Sequence, residues 1–292
     1  MSHDFHPLTI AQVRRETPEA LSLALRVPEA HTADFRFKPG QHLVLRRMLE
    51  GAEVRRTYSI SSGPGDRDLW ITIKKVDGGL FSTHAHGTMK VGDTLEAMAP
   101  GGRFVLPPSD GAPRTLVAIA AGSGITPVMA MVRQALETEP ETRFAILYGN
   151  RSFDSIIFRQ ALEDLKDRFL DRLMLVHVLS RDPDTDVPDL SGRIDGDKIA
   201  RLLAALVKIE DVAHFFLCGP DTLIKTARDK LTDLALEQDR LQLMLRELVL
   251  TPNIKANGLG SVSPERMSKS IQLVYDSYGI KATPVLAKFY TD

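Results

Sequence analysis

One cysteine, Cys218, stands among 292 residues. A single thiol closes no internal disulfide, and it cannot supply the four thiolates that an iron–sulfur cluster usually takes. Charge of one sign is missing too: 37 basic against 38 acidic residues leave a formal net charge of −1. That balance gives no electrostatic footprint for nucleic acid or for an anionic membrane. No apolar run approaches the ~20 residues of a spanning helix. Met1 to Leu8 is polar and has no apolar signal region, so a cytoplasmic protein is expected. Neither an internal repeat nor a low-complexity tract occurs. What is present is an ordinary 43% hydrophobic fraction, enough for a sizeable core, in a chain comfortable for two domains.

Two patterns divide the chain. From residue 8 to 106, short strand-like runs are separated by turns. Ala20 to Val27 alternates partly, His42 to Arg47 follows Pro39-Gly40, and Arg55 to Ile60 ends at Ser61-Ser62-Gly63-Pro64-Gly65. Leu69, Ile71 and Ile73 alternate with Trp70, Thr72 and Lys74, and Thr94 to Ala99 follows Gly92-Asp93. This spacing predicts a small antiparallel β-barrel. The pattern then changes. Leu116 to Ala121, Phe144 to Tyr148, Leu173 to Leu179 and His214 to Cys218 are continuous apolar runs. Helical stretches are predicted after Thr126, over Ser152–Arg168, Asp197–Val207 and Asp221–Leu236. Strands alternating with helices imply a parallel sheet. The predicted divisions are a barrel at 1–108, an α/β domain at 109–250 and a helical tail at 251–292, with a linker at Pro107-Pro108-Ser109-Asp110-Gly111.

Short motifs sit at the ends of these strands. Arg56-Thr57-Tyr58-Ser59 lies along one of them. Alternation puts Arg56 and Tyr58 on one face. A guanidinium matches a pyrophosphate in charge and fork geometry. A tyrosine ring offers a flat surface for an isoalloxazine, and the Ser59 hydroxyl can hydrogen-bond a flavin near its reactive nitrogen. Alone, the segment reads more readily as a strand with an exposed arginine and a cross-strand tyrosine. Gly78-Gly79-Leu80-Phe81-Ser82 follows the Leu69 to Val76 strand. It is either a plain β-turn or a helix start whose bare amides take phosphate oxygens. His84 and His86 follow without a carboxylate or thiol placed beside them, so no metal is expected there.

Gly122-Ser123-Gly124-Ile125-Thr126-Pro127 terminates the first apolar run. Its glycines permit a tight turn and close ligand approach, Thr126 is a suitable N-cap and Pro127 a suitable first helical residue. The product is an anion site at a helix N-terminus. Pro127 stands where the full dinucleotide fingerprint has its last glycine. Cys218-Gly219-Pro220 ends the last run, where ligands of such sheets bind. A buried structural cysteine is the plainer reading of Cys218 itself. Tyr148-Gly149-Asn150-Arg151 and Ser180-Arg181 follow the second and third runs without the acidic residue that favours a free ribose hydroxyl.

In this order, over about residues 7–240, the motifs resemble the ferredoxin-NADP reductase superfamily, and most closely the reductase components of phenylacetyl-CoA-type oxygenases. The resemblance implies FAD on the barrel and NADPH, with NADH as the alternative, on the α/β domain. Hydride would pass from NADPH to FAD, and electrons on to a separate acceptor: a ferredoxin, a flavodoxin, an oxygenase component or a dye. It implies that Arg56, Thr57, Tyr58, Ser59, Lys74, Gly79, Phe81 and Ser82 bind the flavin. It implies that Gly122, Gly124, Ile125, Thr126, Pro127, Asn150, Arg151, Ser180, Arg181, Cys218, Gly219 and Pro220 bind the nucleotide. Ser59 and Cys218 would flank the hydride transfer, and Ser180-Arg181 would meet a 2′-phosphate. Such relatives usually carry a plant-type ferredoxin domain, whose closely spaced cysteines this sequence lacks.

Beyond about residue 240 the resemblance ends. Leu241 to Leu250 is strand-like, and Pro264 to Tyr278 is predicted as a helix with Ser263 as N-cap. Residues 251–292 resemble the end of a periplasmic substrate-binding protein of the nitrate, sulfonate or pyrimidine-precursor type. A catalytically impaired chimera and a non-catalytic dinucleotide-binding module are therefore the alternatives to an enzyme.

Overall fold

The computed structural model describes residues 4–182 and 187–234. Strands β1 (Phe5–Thr17), β2 (Ala20–Arg26), β3 (His42–Leu49), β4 (Ala52–Ser59), β5 (Leu69–Lys74) and β6 (Thr94–Met98) form one sheet in the order β4-β3-β6-β1-β2-β5. Every pairing is antiparallel. Just past β4, Ile60 bridges Ile71 of β5, and this closes the sheet into a barrel. β2 shows why. Leu21, Leu23 and Leu25 fill the barrel core, each contributing roughly 1.5–3 kcal/mol of apolar burial. The alternate positions Ala20, Ser22 and Ala24 are small and also buried. Ala20 belongs to the core of the second domain, so both faces of this strand are covered. Ser22 and Thr72, directly opposite, satisfy each other at 2.7 Å. One helix, α1 (Leu80–Thr88), follows β5.

No strand or helix spans the link from Met98 to Thr115. Arg114 fastens its end, donating to the Pro107 carbonyl at 3.1 Å and pairing with Glu139 at 2.8 Å. Strands β7 (Thr115–Ala121), β8 (Arg143–Asn150), β9 (Leu173–Leu179) and β10 (Val212–Cys218) then form a parallel sheet in the order β10-β7-β8-β9. Alternate residues of each strand point to opposite faces. Leu116, Ala118, Phe144, Ile146 and Phe216 meet α2 (Ile125–Thr138) and α3 (Arg159–Arg168). Val117, Ile119, Ala145, Leu147 and Phe215 meet α4 (Gly196–Leu206) and α5 (Asp221–Asp233). Two covered faces explain the continuous apolar runs.

Two helix starts differ from the sequence expectation. The turn Gly122–Gly124 is 3₁₀, and α2 begins at Ile125 with Gly124 as its N-cap. Thr126 donates its hydroxyl back to the Ser123 carbonyl at 2.9 Å, so it closes the turn instead of capping amides. Pro127 sits two positions further into the first turn, where its missing N–H still costs nothing. The helix expected over Ser152–Arg168 is broken. Ser152–Ser155 closes a capping box around a 3₁₀ turn, and Phe158 takes φ 62° before α3 begins at Arg159. Ile156, Ile157 and Phe158 are all buried. The left-handed turn at Phe158 takes the chain off the helical path there. Asp195 caps α4 by accepting from the Lys198 amide at 2.8 Å. α5 ends at Asp233 with Leu234 as its C-cap; residues 235–236 of its predicted span, the strand Leu241 to Leu250 and the helix Pro264 to Tyr278 lie outside the described residues. Among the described residues no helix is long and apolar enough to cross a membrane.

Candidate functional site

The sheet order places β7 beside β10, with Ala120 opposite Cys218, so the glycine turn and Cys218-Gly219-Pro220 leave the sheet side by side. They touch: a Cβ at Gly124 would collide with the Cys218 carbonyl. Gly122 has φ 54°, which a side chain would resist. From β8, Tyr148 donates to the Gly122 carbonyl at 2.9 Å and supports the turn from below. Burial pushes that phenol's pKa up. Neither α2 nor α5 has a side-chain cap at its N-terminus. Both helices begin just beyond the strand ends, the arrangement that suits an anion, though in α2 the Ile125 amide already donates to the Gly122 and Ser123 carbonyls and Pro127 has none. Cys218 is buried and belongs to the core cluster of α2 and α3.

Cations gather beside this turn. Lys74, last residue of β5, places Nζ 3.6 Å from where a Gly122 side chain would begin. Burial first, and then the positive charge of Arg151, lowers the Lys74 pKa, against the pull of Glu19. Beyond the sheet the ladder continues: Ser180 donates its amide to the Asn150 carbonyl at 2.9 Å, and Arg181 to the Arg151 carbonyl at 2.7 Å. Arg151 and Arg181 are thereby held as exposed neighbours with no carboxylate partner among the described residues. Lys74, Gly122, Gly124, Cys218, Arg151 and Arg181 thus form one group drawn from both domains.

The β4 motif is arranged as alternation requires. Arg56 and Tyr58 lie opposite Leu45 and Leu43, on one face. Tyr58 is half-buried, its ring 5.7 Å from that of Phe81, and burial pushes its phenol's pKa up. Arg56 gives one N–H to the Arg55 carbonyl and has no carboxylate partner among the described residues. The Thr57 hydroxyl is buried without a hydrogen bond among the described residues. Phe81 and Ser82 stand differently from expectation. Phe81 fills the barrel core. Ser82 accepts from the Val76 amide and donates to the Gly79 carbonyl, both at 3.1 Å, so its hydroxyl is spent inside the turn. What α1 offers outward is its uncapped amide end at Gly79. His84 contacts Thr88, and His86 contacts the Ile73 carbonyl. Among the described residues no three metal-ligating side chains come together.

Sequence reasoning missed His42, which lies directly opposite Ser59 across β3 and β4. Burial lowers its pKa to about 4, so it is neutral at physiological pH. Only strand register makes it a neighbour of Ser59, and register is not written locally.

Comparison with known proteins matches residues 7–106 to an oxidoreductase FAD-binding domain and residues 118–229 to an oxidoreductase NAD-binding domain. One component of the 1,2-phenylacetyl-CoA epoxidase of Escherichia coli is 40% identical over 240 residues, 82% of this chain and 67% of the relative. The ferredoxin reductase component of 3-ketosteroid-9-alpha-monooxygenase from Mycolicibacterium smegmatis is 34% identical, over 81% of this chain and 64% of the relative. The chain belongs to the ferredoxin-NADP reductase family. The chain spans about two thirds of the length of these relatives. Among solved structures, the FAD/NAD-binding domain of a nitric oxide dioxygenase from Vibrio cholerae superposes with TM-score 0.69 at 26% identity, over 82% of this chain and 97% of that one. A ferredoxin NADP+ reductase from Neisseria gonorrhoeae, with FAD and NADP bound, gives TM-score 0.68 at 23% identity, over 83% and 96%.

This reductase is therefore an oxidoreductase whose cofactors are FAD and a nicotinamide dinucleotide. Its own residues fit both. Arg56, without a carboxylate partner among the described residues, and the uncapped start of α1 suit a pyrophosphate, and the buried Thr57 hydroxyl makes no hydrogen bond among the described residues. The glycine turn with Lys74 and Arg151 suits a second anion.

Proposed function

We propose that this reductase oxidises NADPH at a barrel-bound FAD and delivers the electrons to a separate acceptor, of the kind an oxygenase component or a ferredoxin provides. The bound flavin supplies the redox chemistry, accepting a hydride and releasing electrons one or two at a time. The chain binds, orients and shields. Arg56 holds the flavin pyrophosphate, Tyr58 supports the ring system, and Ser59, backed by neutral His42, offers a hydroxyl near the reacting position. Gly122, Gly124 and the start of α2 hold the nucleotide phosphates. Asn150, Arg151, Ser180 and Arg181 read the adenosine end, where the positive charge of the two exposed arginines favours a 2′-phosphate. Cys218-Gly219-Pro220 bounds the nicotinamide side.

The observation that carries this reading is the placement of barrel-borne Lys74 over Gly122, the turn that itself rests on Cys218. One group spanning both domains is what transfer between two cofactors needs. The family relationship to oxygenase reductase components supports the acceptor class. The test is direct. Full-length protein is purified, its cofactor is released by acid and identified, and the loaded protein is mixed anaerobically with NADPH. FAD at one per chain and bleaching of its absorbance support the reading. A colourless protein, or a flavin that NADPH and NADH both leave oxidised, overturns it. No catalytic group is assigned to residues 251–292, so a chain ending at Leu250 is expected to keep flavin reduction within a few-fold.

A further inference from the structure

Between Ile60 and β5 runs a short loop that both domains hold. On the barrel side, Ser61 donates its amide to the Trp70 carbonyl at 2.8 Å. The Ser62 hydroxyl accepts from the Trp70 amide at 2.7 Å, and Asp68 takes a bidentate pair from Arg26 at 3.0 Å. At the loop tip, the Gly63 amide donates to Asp66 at 2.8 Å. The same carboxylate receives both terminal nitrogens of Arg133, at 2.5 and 2.9 Å. Arg133 belongs to α2, about two turns beyond the glycine loop. A side chain at Gly63 would collide with its guanidinium. Behind Arg133, Glu137 lies 3.8 Å away and itself pairs with Arg168 of α3 at 3.2 Å.

We propose that Asp66 and Arg133 form a strap that sets the nucleotide domain on the flavin barrel, and that they are positioning residues for hydride transfer. The strap joins the two elements whose spacing matters. Its loop is the direct continuation of the strand bearing Tyr58 and Ser59, and its arginine lies on the helix that begins at the dinucleotide loop. A bidentate fork fixes direction as well as distance. Beside the pair is a cavity of about 320 Å³, which both residues line together with Trp70 and Phe158. Packing therefore does not confine the guanidinium on that side, and the fork does. A partly exposed pair adds little to stability, whereas misplacement by ~1 Å can slow a reaction ~100-fold.

The proposal rests on the flavin and nicotinamide reading above. In the step concerned, the C4–H bond of the reduced nicotinamide breaks and its hydride forms an N–H bond on the flavin. The nucleotide is thereby oxidised and the flavin reduced by two electrons. Asp66→Asn, Arg133→Gln and the double variant are prepared as full chains loaded with flavin. Single-turnover reduction by NADPH is expected to slow about tenfold in each single variant and no further in the double. Flavin content, reduction by dithionite and the Kd for NADP+ are expected to stay within about threefold of wild type. Unchanged single-turnover rates, or losses that multiply in the double variant, overturn the strap. Hydrogen exchange on the same proteins provides a readout independent of turnover. The amides of Ser61–Asp68 and of α2 are expected to lose protection in the single variants, while those of β7 and β8 keep theirs. Unchanged protection in the loop and α2 overturns the strap even if wild type proves inert to both nucleotides, an outcome that would by itself fault only the functional reading.

Discussion

Gly124 rests on the carbonyl of Cys218, leaving no room for a side chain between the dinucleotide loop and the end of β10. The contact is backbone against backbone, so it cannot be relieved by a rotamer change. Gly124→Ala is expected to destabilise the protein by roughly 1–3 kcal/mol, the usual range for overpacking. It should also push the loop away from the nucleotide. Urea denaturation and titration with NADP+ measure the two effects. A variant with unchanged midpoint and unchanged Kd would show that the loop yields without consequence.

Arg56 has no carboxylate to neutralise it among the described residues, and a pyrophosphate supplies that charge. Arg56→Ala should weaken FAD binding by roughly 1.5–3 kcal/mol, the worth of a charge-assisted contact, so about 10- to 150-fold in Kd. Far-ultraviolet circular dichroism of the apoprotein should not change. Equilibrium dialysis against FAD decides the matter, and full retention of flavin would remove Arg56 from the site.

Much of this was legible in the sequence. The four apolar runs gave the parallel sheet because β7, β8, β9 and β10 are covered on both faces, and burial of that kind leaves a local trace. The alternation of Leu69, Ile71 and Ile73 with Trp70 and Lys74 gave the barrel for a different reason: one face of β5 is fully buried and the other is partly open. Features fixed by distant partners left none. Thr126 reads as an N-cap from its type, yet its hydroxyl turns back to Ser123. Ser82 reads as a phosphate contact, yet the Val76 amide and Gly79 carbonyl occupy it. His42 beside Ser59 follows from strand register, and Asp66 against Arg133 from how the domains meet. No window of sequence contains either pair.

Arg181 is exposed and held beside Arg151 by the continued ladder. If it reads a 2′-phosphate, its effect must be confined to the phosphorylated nucleotide. Arg181→Ala is expected to raise KM for NADPH about tenfold or more, equivalent to ~1.4 kcal/mol, and to leave KM for NADH within twofold. Steady-state dye reduction with both nucleotides tests this. Equal losses with the two would assign Arg181 to a shared part of the nucleotide.

His42 couples stability to pH, and the sign follows from its buried, neutral state. Its pKa falls from 6.5 in the unfolded chain to about 4 in the fold. Between those values the unfolded chain binds a proton that the folded chain refuses, so stability drops as pH falls below about 6.5. The loss levels off below about 4, and above 6.5 the histidine contributes no pH dependence. From pH 7 to pH 5 this amounts to at most about 2 kcal/mol. Burial lowers the His177 pKa as well, with the same sign, so wild type is compared with His42→Gln rather than with theory. Urea midpoints at the two pH values should draw together in the variant by the His42 share. An undiminished pH effect in His42→Gln would mean that His42 is solvated enough to take its proton in the folded state, and that burial does not set its charge.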